Sequence, residues 1–478
     1  MTELLISLRR ILDESIDTIV SVCERRNEDF PHLDVPAHPS EFSPQGIRND
    51  PEVAQAIKLG VAAASQLVAA LQSPIQAIAN LCFLATIPSN IAASERVHVP
   101  EIIRNSGDKG MHVTEIVKYN GANVDKLERI LRHLATHHIF REVSPRVFAH
   151  NMLSSLLDTG KDYKTIIDNP ENKYDNTNGL CAFAAMLSDE LSKAYPHTAD
   201  VLADPSIADS QELNETTLQK ALNMKHTLWQ YLDLPENAFR GRRFNIAMRG
   251  ISALQPSGTI LGLYDWDALP ERATIVDVGS GLGHVSLEIA AARPDFRFIL
   301  EDRPSVVAHA KEYWSQHAPI AMTNAHFLGL DFLHPQPKLP YTPDVFFLRY
   351  ILHNQPDNYA TMLLGHLRKV ATEYTKLIII DFVVEYVCPV PEDSEDAIPG
   401  DPSPAAPSPL LTNFGVAGAY PYNMDMVMLS YLNAKERTIG AWRDLLFVSG
   451  WKLITVKRDP ADRTGWPLIV SEPILSTN

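Results

Sequence analysis

Cysteine is scarce: the 478 residues include four, Cys23, Cys82, Cys181 and Cys388, far apart and with no CxxC pair. That spacing argues against a disulfide framework and against a structural zinc site, and no other metal-ligand cluster stands out, so no metal is expected. Positive charge is also short. Lys and Arg number 42 against 58 Asp and Glu, a formal charge of −16, and such a field repels polyanions, so neither nucleic acid nor an anionic membrane is expected as a partner. The first twenty residues, MTELLISLRRILDESIDTIV, lack an unbroken apolar run, because Arg9, Arg10, Asp13, Glu14 and Asp17 interrupt it. Neither a signal peptide nor a membrane span tolerates those charges, and a cytoplasmic protein is expected.

What is present is an ordinary globular composition, 45% hydrophobic and 21% charged. At roughly one domain per 100–200 residues, the length predicts two or three domains. Leu4, Leu5, Leu8, Leu12, Ile16, Ile19 and Val20 form one helical apolar stripe. Residues 31–51 are Pro-rich and polar, a linker. From Pro51 the chain is dense in Ala and aliphatics and broken only by Pro74, which predicts helices buried against something large, such as a second subunit. Residues 99–150 read as three short helices, a strand, a Ser-Pro turn and a strand, the order of a winged helix. Lys126, Arg129, Arg132 and Arg141 there would suit DNA, but Asp125, Glu128 and Glu142 interleave them, which favours a dimerisation module. Residues 151–250 read as mostly helical.

From residue 273 strands alternate with helices: ATIVDVG, HVSLEIAAA, FRFILED, SVVAHAKEYWSQH, HFLGL, PDVFFLRYIL, NYATMLLGHLRKVA and TKLIIIDFVV. This predicts a mostly parallel sheet covered on both faces, an α/β fold, closed by an antiparallel pair, GWKLITVKR and WPLIVSEPI. Between the first strand and helix lies Asp277-Val-Gly279-Ser280-Gly281-Leu-Gly283, where absent side chains let a ligand approach the backbone. A dinucleotide-binding loop would want glycine at 284, which is His284, so the loop suits a cofactor without a pyrophosphate. About twenty residues on, Glu301-Asp302 ends the next strand, where a carboxylate can accept ribose hydroxyls; capping of the following helix is the alternative for Asp302. Asp331-Phe332 follows a sheet-edge strand and offers a hydrogen-bonding acid beside an aromatic face for an adenine. His353 follows the strand Phe346-Phe347-Leu348-Arg349 at its carboxyl end, where open α/β sheets keep their ligands. A neutral imidazole there can take a proton from a phenol, and Asp381 and Glu436 are acids that could orient it.

Taken together these residues resemble the plant and fungal small-molecule O-methyltransferases of the caffeate and flavonoid kind, over nearly the whole chain. The resemblance implies a Rossmann-like class I methyltransferase domain at 251–478, preceded by a helical and winged-helix-like dimerisation domain at 1–160. A helical connector at 161–250 would contribute to the acceptor pocket. It implies S-adenosylmethionine as cofactor, with Asp302 at the ribose, Gly279 to Gly283 along the methionine moiety, Asp331 and Phe332 at the adenine, and Asp277, Ser280 and Arg349 in the same site. His353 would be the general base flanked by Asp381 and Glu436, Phe244 and Met248 would line the acceptor side, and the chain would be a homodimer acting on a small hydroxylated molecule. Two departures stand out. Asn354-Gln355 replaces the family's usual Asp-Trp, and the Pro-rich stretch 385–422 is long for the family, either a surface insertion or a lid over the acceptor pocket. Competing expectations are a nicotinamide-dependent dehydrogenase, a non-catalytic winged-helix binding protein, and a relative that uses the bound sulfonium for pericyclic or dehydration chemistry.

Overall fold

The computed structural model describes residues 2–254, 258–391, 393–399, 406–458 and 466–475. Contacts divide the chain into two units, Met1–Ala208 with Thr216–Gln255, and Asp209–Glu215 with Pro256–Asn478.

In the first unit, α1 (Thr2–Arg26) buries Leu8, Ile11, Ser15 and Val22 and pairs with α2 (Pro51–Leu71). The two backbones meet closely at Gly60, where an added Cβ would stand 3.3 Å from Ser15 Cβ. α2 begins where the sequence places it, with Asp50 accepting from the Glu52 and Val53 amides and Pro51 in the first turn. Ser73 and Pro74 start α3 (Pro74–Phe83) in the same way, and α4 (Thr86–Arg96) follows. The apolar stretch expected to be buried is exposed in the single chain. α3 buries no residue, and Ile75 is 82% exposed, Ile78 61%, Leu81 63% and Phe83 67%. By length and composition alone, Pro51–Leu71 and Pro74–Arg96 are apolar enough to cross a membrane.

Next come α5 (Val99–Ile103), β1 (Met111–His112), α6 (Val113–Asn120), α7 (Val124–Thr136), β2 (Arg141–Ser144) and β3 (Val147–Ala149), with β3 antiparallel between β1 and β2. Val113, Ile116, Leu127, Leu131, Leu134 and Phe148 form its core. Helical segments fill the rest, ending in the helix Ala238–Ser252, which carries Phe244 and Met248. That helix lies so close to the chain at Gly179 that a Cβ there would stand 2.7 Å from Gly250 Cα.

The second unit is built on a seven-stranded sheet. In chain order its strands are β4 (Thr274–Val278), β5 (Arg297–Asp302), β6 (Ala325–Gly329), β7 (Val345–Arg349), β8 (Lys376–Ile380), and then β11 (Trp451–Lys457) and β12 (Leu468–Pro473). A separate short parallel pair joins β9 (Val383–Val384) to β10 (Arg437–Thr438). Spatial order is β11-β12-β8-β7-β4-β5-β6, with β4 to β8 parallel and β12 antiparallel to both neighbours. This is the mostly parallel, Rossmann-like class I arrangement with its antiparallel closing pair. Continuous apolar strands fit burial on both faces. Ile275, Phe298, Leu300, Phe347 and Ile378 enter one core, and Val276, Val278, Ile299, Phe346 and Leu348 the other.

Residue 392 and residues 400–405 of the Pro-rich stretch lie outside the described residues. The described part is pinned to the second unit: Tyr422 Oη donates to Glu385 O at 2.6 Å, Val456 N to Pro399 O at 2.8 Å, and Leu410 and Phe414 are buried.

Candidate active site

The reversal of crossover direction between β4 and its two neighbours, β5 and β7, opens a crevice at the carboxyl ends of these strands, the ligand position of open α/β sheets. The loop leaving β4 has Gly279, Gly281 and Gly283 at φ of +72°, +57° and +73°, a region that costs L side chains energy. Two of these glycines are also crowded. A Cβ on Gly279 would stand 2.3 Å from Ile351 Cδ1, and one on Gly283 would stand 2.3 Å from Leu300 Cδ2. Gly281 instead faces open space, with nothing within 4 Å of that position. The Gly279 and Ser280 amides donate to Glu301 O at 2.8 and 2.9 Å, and Gly281 N donates to Asp302 Oδ2 at 2.8 Å.

Asp302 thus ends β5 against the loop, half-buried, with Arg303 N also donating to its Oδ1 at 2.7 Å. It does not cap the helix Pro304–His317, whose N-cap is Arg303 without a side-chain cap. Its oxygens keep further acceptor capacity. Ser280 Oγ is buried with no hydrogen-bond partner among the described residues. Open space at Gly281, an unpaired buried hydroxyl and a carboxylate with spare acceptor positions fit a polar ligand bearing hydroxyl donors, as S-adenosylmethionine requires.

The remaining acids differ in placement. Asp277 is buried in β4 and accepts from Ser286 Oγ at 2.6 Å, which ties the strand to the helix His284–Ala292. Burial pushes its carboxyl up to about 6, with Asp302 adding to the rise and the Ser286 bond opposing it. Glu301 points away from Asp302 along the strand, accepts from Gln336 Nε2 at 2.8 Å, and is pushed by burial to about 7. Phe332 lies by the loop, its Cε1 3.9 Å from a Cβ on Gly279, whereas the Asp331 carboxylate is exposed, accepts from Leu333 N at 3.0 Å and pairs with His334 at 3.3 Å. Arg349 ends β7 with its guanidinium 4.4 Å from the Tyr350 ring centroid.

Tyr350 is itself held at φ +59°, and the chain then makes a 3-10 turn, Leu352–Asn354, that carries His353. His353 is 7% exposed. Its Nδ1 lies 2.8 Å from Glu436 Oε1; a carboxylate only accepts, so Nδ1 carries the proton and Nε2 is left with its lone pair. The two acids divide the work rather than both facing the ring. Asp381 Oδ2 accepts from the backbone amides of Leu352 at 3.1 Å and His353 at 3.3 Å, so it fixes the turn while Glu436 fixes the imidazole. Burial alone would lower the His353 pKa, but the Glu436 and Asp381 charges outweigh it and hold the group above the ordinary histidine value. Asp381 is pushed by burial up to about 7. Ile351, two residues before the histidine, is the side chain that crowds Gly279, so the turn and the glycine loop are in contact.

Phe244 and Met248 are half-buried in the first unit, Phe244 edge-on to Trp229 at 5.8 Å and Met248 against the cluster of Cys181 and Ala182. Sequence reasoning missed Trp466. Its ring lies 3.8 Å from Tyr350, 3.8 Å from Phe382 and 6.0 Å from His353, centroid to centroid, so an aromatic wall stands beside the histidine although Asn354-Gln355 supplies none. Nothing local marks it, since it precedes β12, far along the chain. Asn354 instead bonds Tyr350 O through Nδ2 at 2.8 Å. Among the described residues no group of His, Cys, Asp and Glu is arranged to hold a metal.

A family model described as an O-methyltransferase domain matches residues 200–396. The chain is 37% identical over 448 residues to an O-methyltransferase of Armillaria gallica, covering 93% of this chain and 94% of that protein. It is 35% identical over 456 residues to 4-O-methyltransferase 1 of Phanerochaete chrysosporium, covering 94% and 96%. Among solved structures, OxaC in complex with sinefungin and meleagrin shares the fold over 97% of this chain and 98% of that one, at a TM-score of 0.63 and 18% identity.

Proposed function

Because the chain belongs to the class I S-adenosylmethionine-dependent small-molecule O-methyltransferases, we propose that it methylates a phenolic hydroxyl with His353 as general base. The observation that carries this reading is the buried His353–Glu436 pair at the carboxyl end of β7, beside the glycine loop. Asp302, Gly281 and Ser280 would hold the cofactor, with Phe332, Asp331 and Arg349 at the margins of the same crevice and Asp277 supporting the loop from below. When bound, S-adenosylmethionine supplies a methyl group activated by a positively charged sulfur. The chain's part is proton chemistry and placement. His353 Nε2 accepts the hydroxyl proton of the acceptor, Glu436 stabilises the imidazolium that results, and Asp381 keeps the turn from shifting as charge develops.

We further read the chain as a homodimer whose interface includes the exposed face of α2 and α3, with 99–150 as a winged-helix-like pairing module. Two features support this over a membrane or nucleic acid. α1, paired with α2, presents Arg9–Asp13 and Arg10–Glu14 ion pairs to solvent, which a bilayer would have to desolvate. On α7, Arg132 is held by Glu128 and Glu142 at 2.8 and 2.9 Å, so the base a DNA backbone would need is already neutralised.

Replacement of His353 by Ala tests the mechanism. Cofactor affinity is expected to stay near wild type while turnover on a phenol falls roughly 10²–10⁴-fold, the range for a lost general base. The loss shrinks with rising pH, because a phenol of pKa near 10 ionises unaided. Wild-type turnover in the variant at neutral pH would remove His353 from the mechanism.

A further inference from the structure

Three consecutive residues of the segment after the helix Tyr420–Leu432 converge on the turn that carries His353. Lys435 Nζ pairs with the Asp357 carboxylate, Glu436 takes the His353 ring, and the Arg437 guanidinium reaches the backbone on either side of the histidine. Arg437 is fully buried, with its side chain 0% exposed. Its Nη1 donates to Leu352 O at 2.8 Å and its Nη2 to Gln355 O at 2.8 Å. Nη2 and Nε also donate to Asp357 Oδ1, at 2.9 and 3.1 Å, and the Trp442 ring centroid lies 5.3 Å away. The planar fork therefore spans the turn from its first residue to the start of the helix Asp357–Val370.

We propose that Arg437 is a positioning residue for methyl transfer: by holding the carbonyls of Leu352 and Gln355 it keeps His353 in register with the Glu436 carboxylate. This rests on the reading of His353 as the base. The geometry shows why a single anchor is insufficient. Asp381 grips only amides, at the front of the turn, and leaves its carbonyl side to be fixed by some donor. A carbonyl such as Leu352 O, which already accepts from Gln355 N within the turn, has a second lone pair, and Arg437 uses it. β10, which contains Arg437, pairs with β9 in the register Arg437↔Val383, so the donor is referenced to the strand end that carries Asp381. The charged groups around the imidazole are then Glu436, Asp381 and Arg437, with Arg437 the one that lowers its pKa.

Arg437→Lys keeps the charge and loses the fork, and Arg437→Met loses both. Both are expected to retain cofactor affinity, measured by titration calorimetry, and to lose roughly 10–10²-fold in kcat, the scale of a small misplacement of a catalytic group. Only Arg437→Met should move the acid limb of kcat/KM to higher pH, since only it removes the positive charge. His353→Ala run in parallel separates the two ideas. If that variant is fully active, the base assignment fails; if it is inactive while both Arg437 variants turn over like wild type, the positioning role fails. Failure of both Arg437 variants to fold, or equal loss of cofactor affinity and kcat, would make Arg437 a structural residue and overturn the proposal.

Discussion

Replacing Glu436 by glutamine changes one charge at the His353 ring and little else, because the amide oxygen can still accept from Nδ1. The Glu436 carboxylate is buried and 2.8 Å from the imidazole, so its loss is felt mainly as lost stabilisation of the imidazolium. A hydrogen bond to a charged group contributes about 1.5–3 kcal/mol, and one pKa unit corresponds to about 1.4 kcal/mol, which gives a drop of roughly 1–2 units in the His353 pKa. The sign follows from the environment. Burial lowers the wild-type value, and Glu436 and then Asp381 raise it above the ordinary one. The neutral, proton-accepting form therefore accumulates in wild type only at pH above that raised value. In Glu436→Gln the acid limb of kcat/KM should move to lower pH by the same roughly 1–2 units, while the plateau falls roughly 10–10²-fold because the protonated base is less stable. The assay is methyl transfer to a phenol from pH 5 to 9. An acid limb that stays in place, or moves to higher pH, would refute the assignment of Glu436 as the carboxylate that sets the base.

The glycine loop offers a paired test. Gly283→Ala meets Leu300 Cδ2 at 2.3 Å and Trp314 Nε1 at 2.7 Å and carries positive φ, so thermal melts should show destabilisation of about 2–4 kcal/mol from strain and overpacking together. Gly281→Ala, with open space before it, should cost only about 1–2 kcal/mol of stability yet weaken cofactor binding measured by calorimetry; equal behaviour of the two variants would mean the open space is not where the ligand passes. Asp302→Ala should weaken cofactor binding by roughly 1.5–3 kcal/mol, with unchanged affinity rejecting its ribose role. Sedimentation at micromolar concentration should give twice the chain mass of 53.2 kDa, and a monomer would leave the exposed Ile75, Ile78 and Leu81 face without the partner argued for it.

The strands of the catalytic half were legible because a parallel sheet covered on both faces demands unbroken apolar runs, and FRFILED and KLIII can hardly serve as anything else. The helix start at Pro51 is legible for an equally local reason, and Pro74, read from sequence only as a break, begins α3: Asp50 and Ser73 satisfy first-turn amides from within a few residues. Local pattern fails where a residue's partner is distant in the chain. Asp381 and Glu436 look interchangeable as flanking acids until the fold shows one gripping backbone amides and the other the ring. The reason is that Asp381 follows β8 beside the turn, while Glu436 immediately precedes the short β10 that pairs with β9. The role of Arg437 is not legible in the sequence, since nothing in Asn-Ala-Lys-Glu-Arg-Thr distinguishes a solvated arginine from one buried against two carbonyls. Trp466 was invisible for the same reason. The exposed face of α2 and α3 is the converse case: the sequence signals burial as a tendency, whereas Ile75, Ile78, Leu81 and Phe83 are exposed in the single chain. A histidine can therefore be nominated from a motif, whereas the groups that set its tautomer, its pKa and its position come from two distant segments, the end of β8 and the stretch at β10, that only the fold brings together.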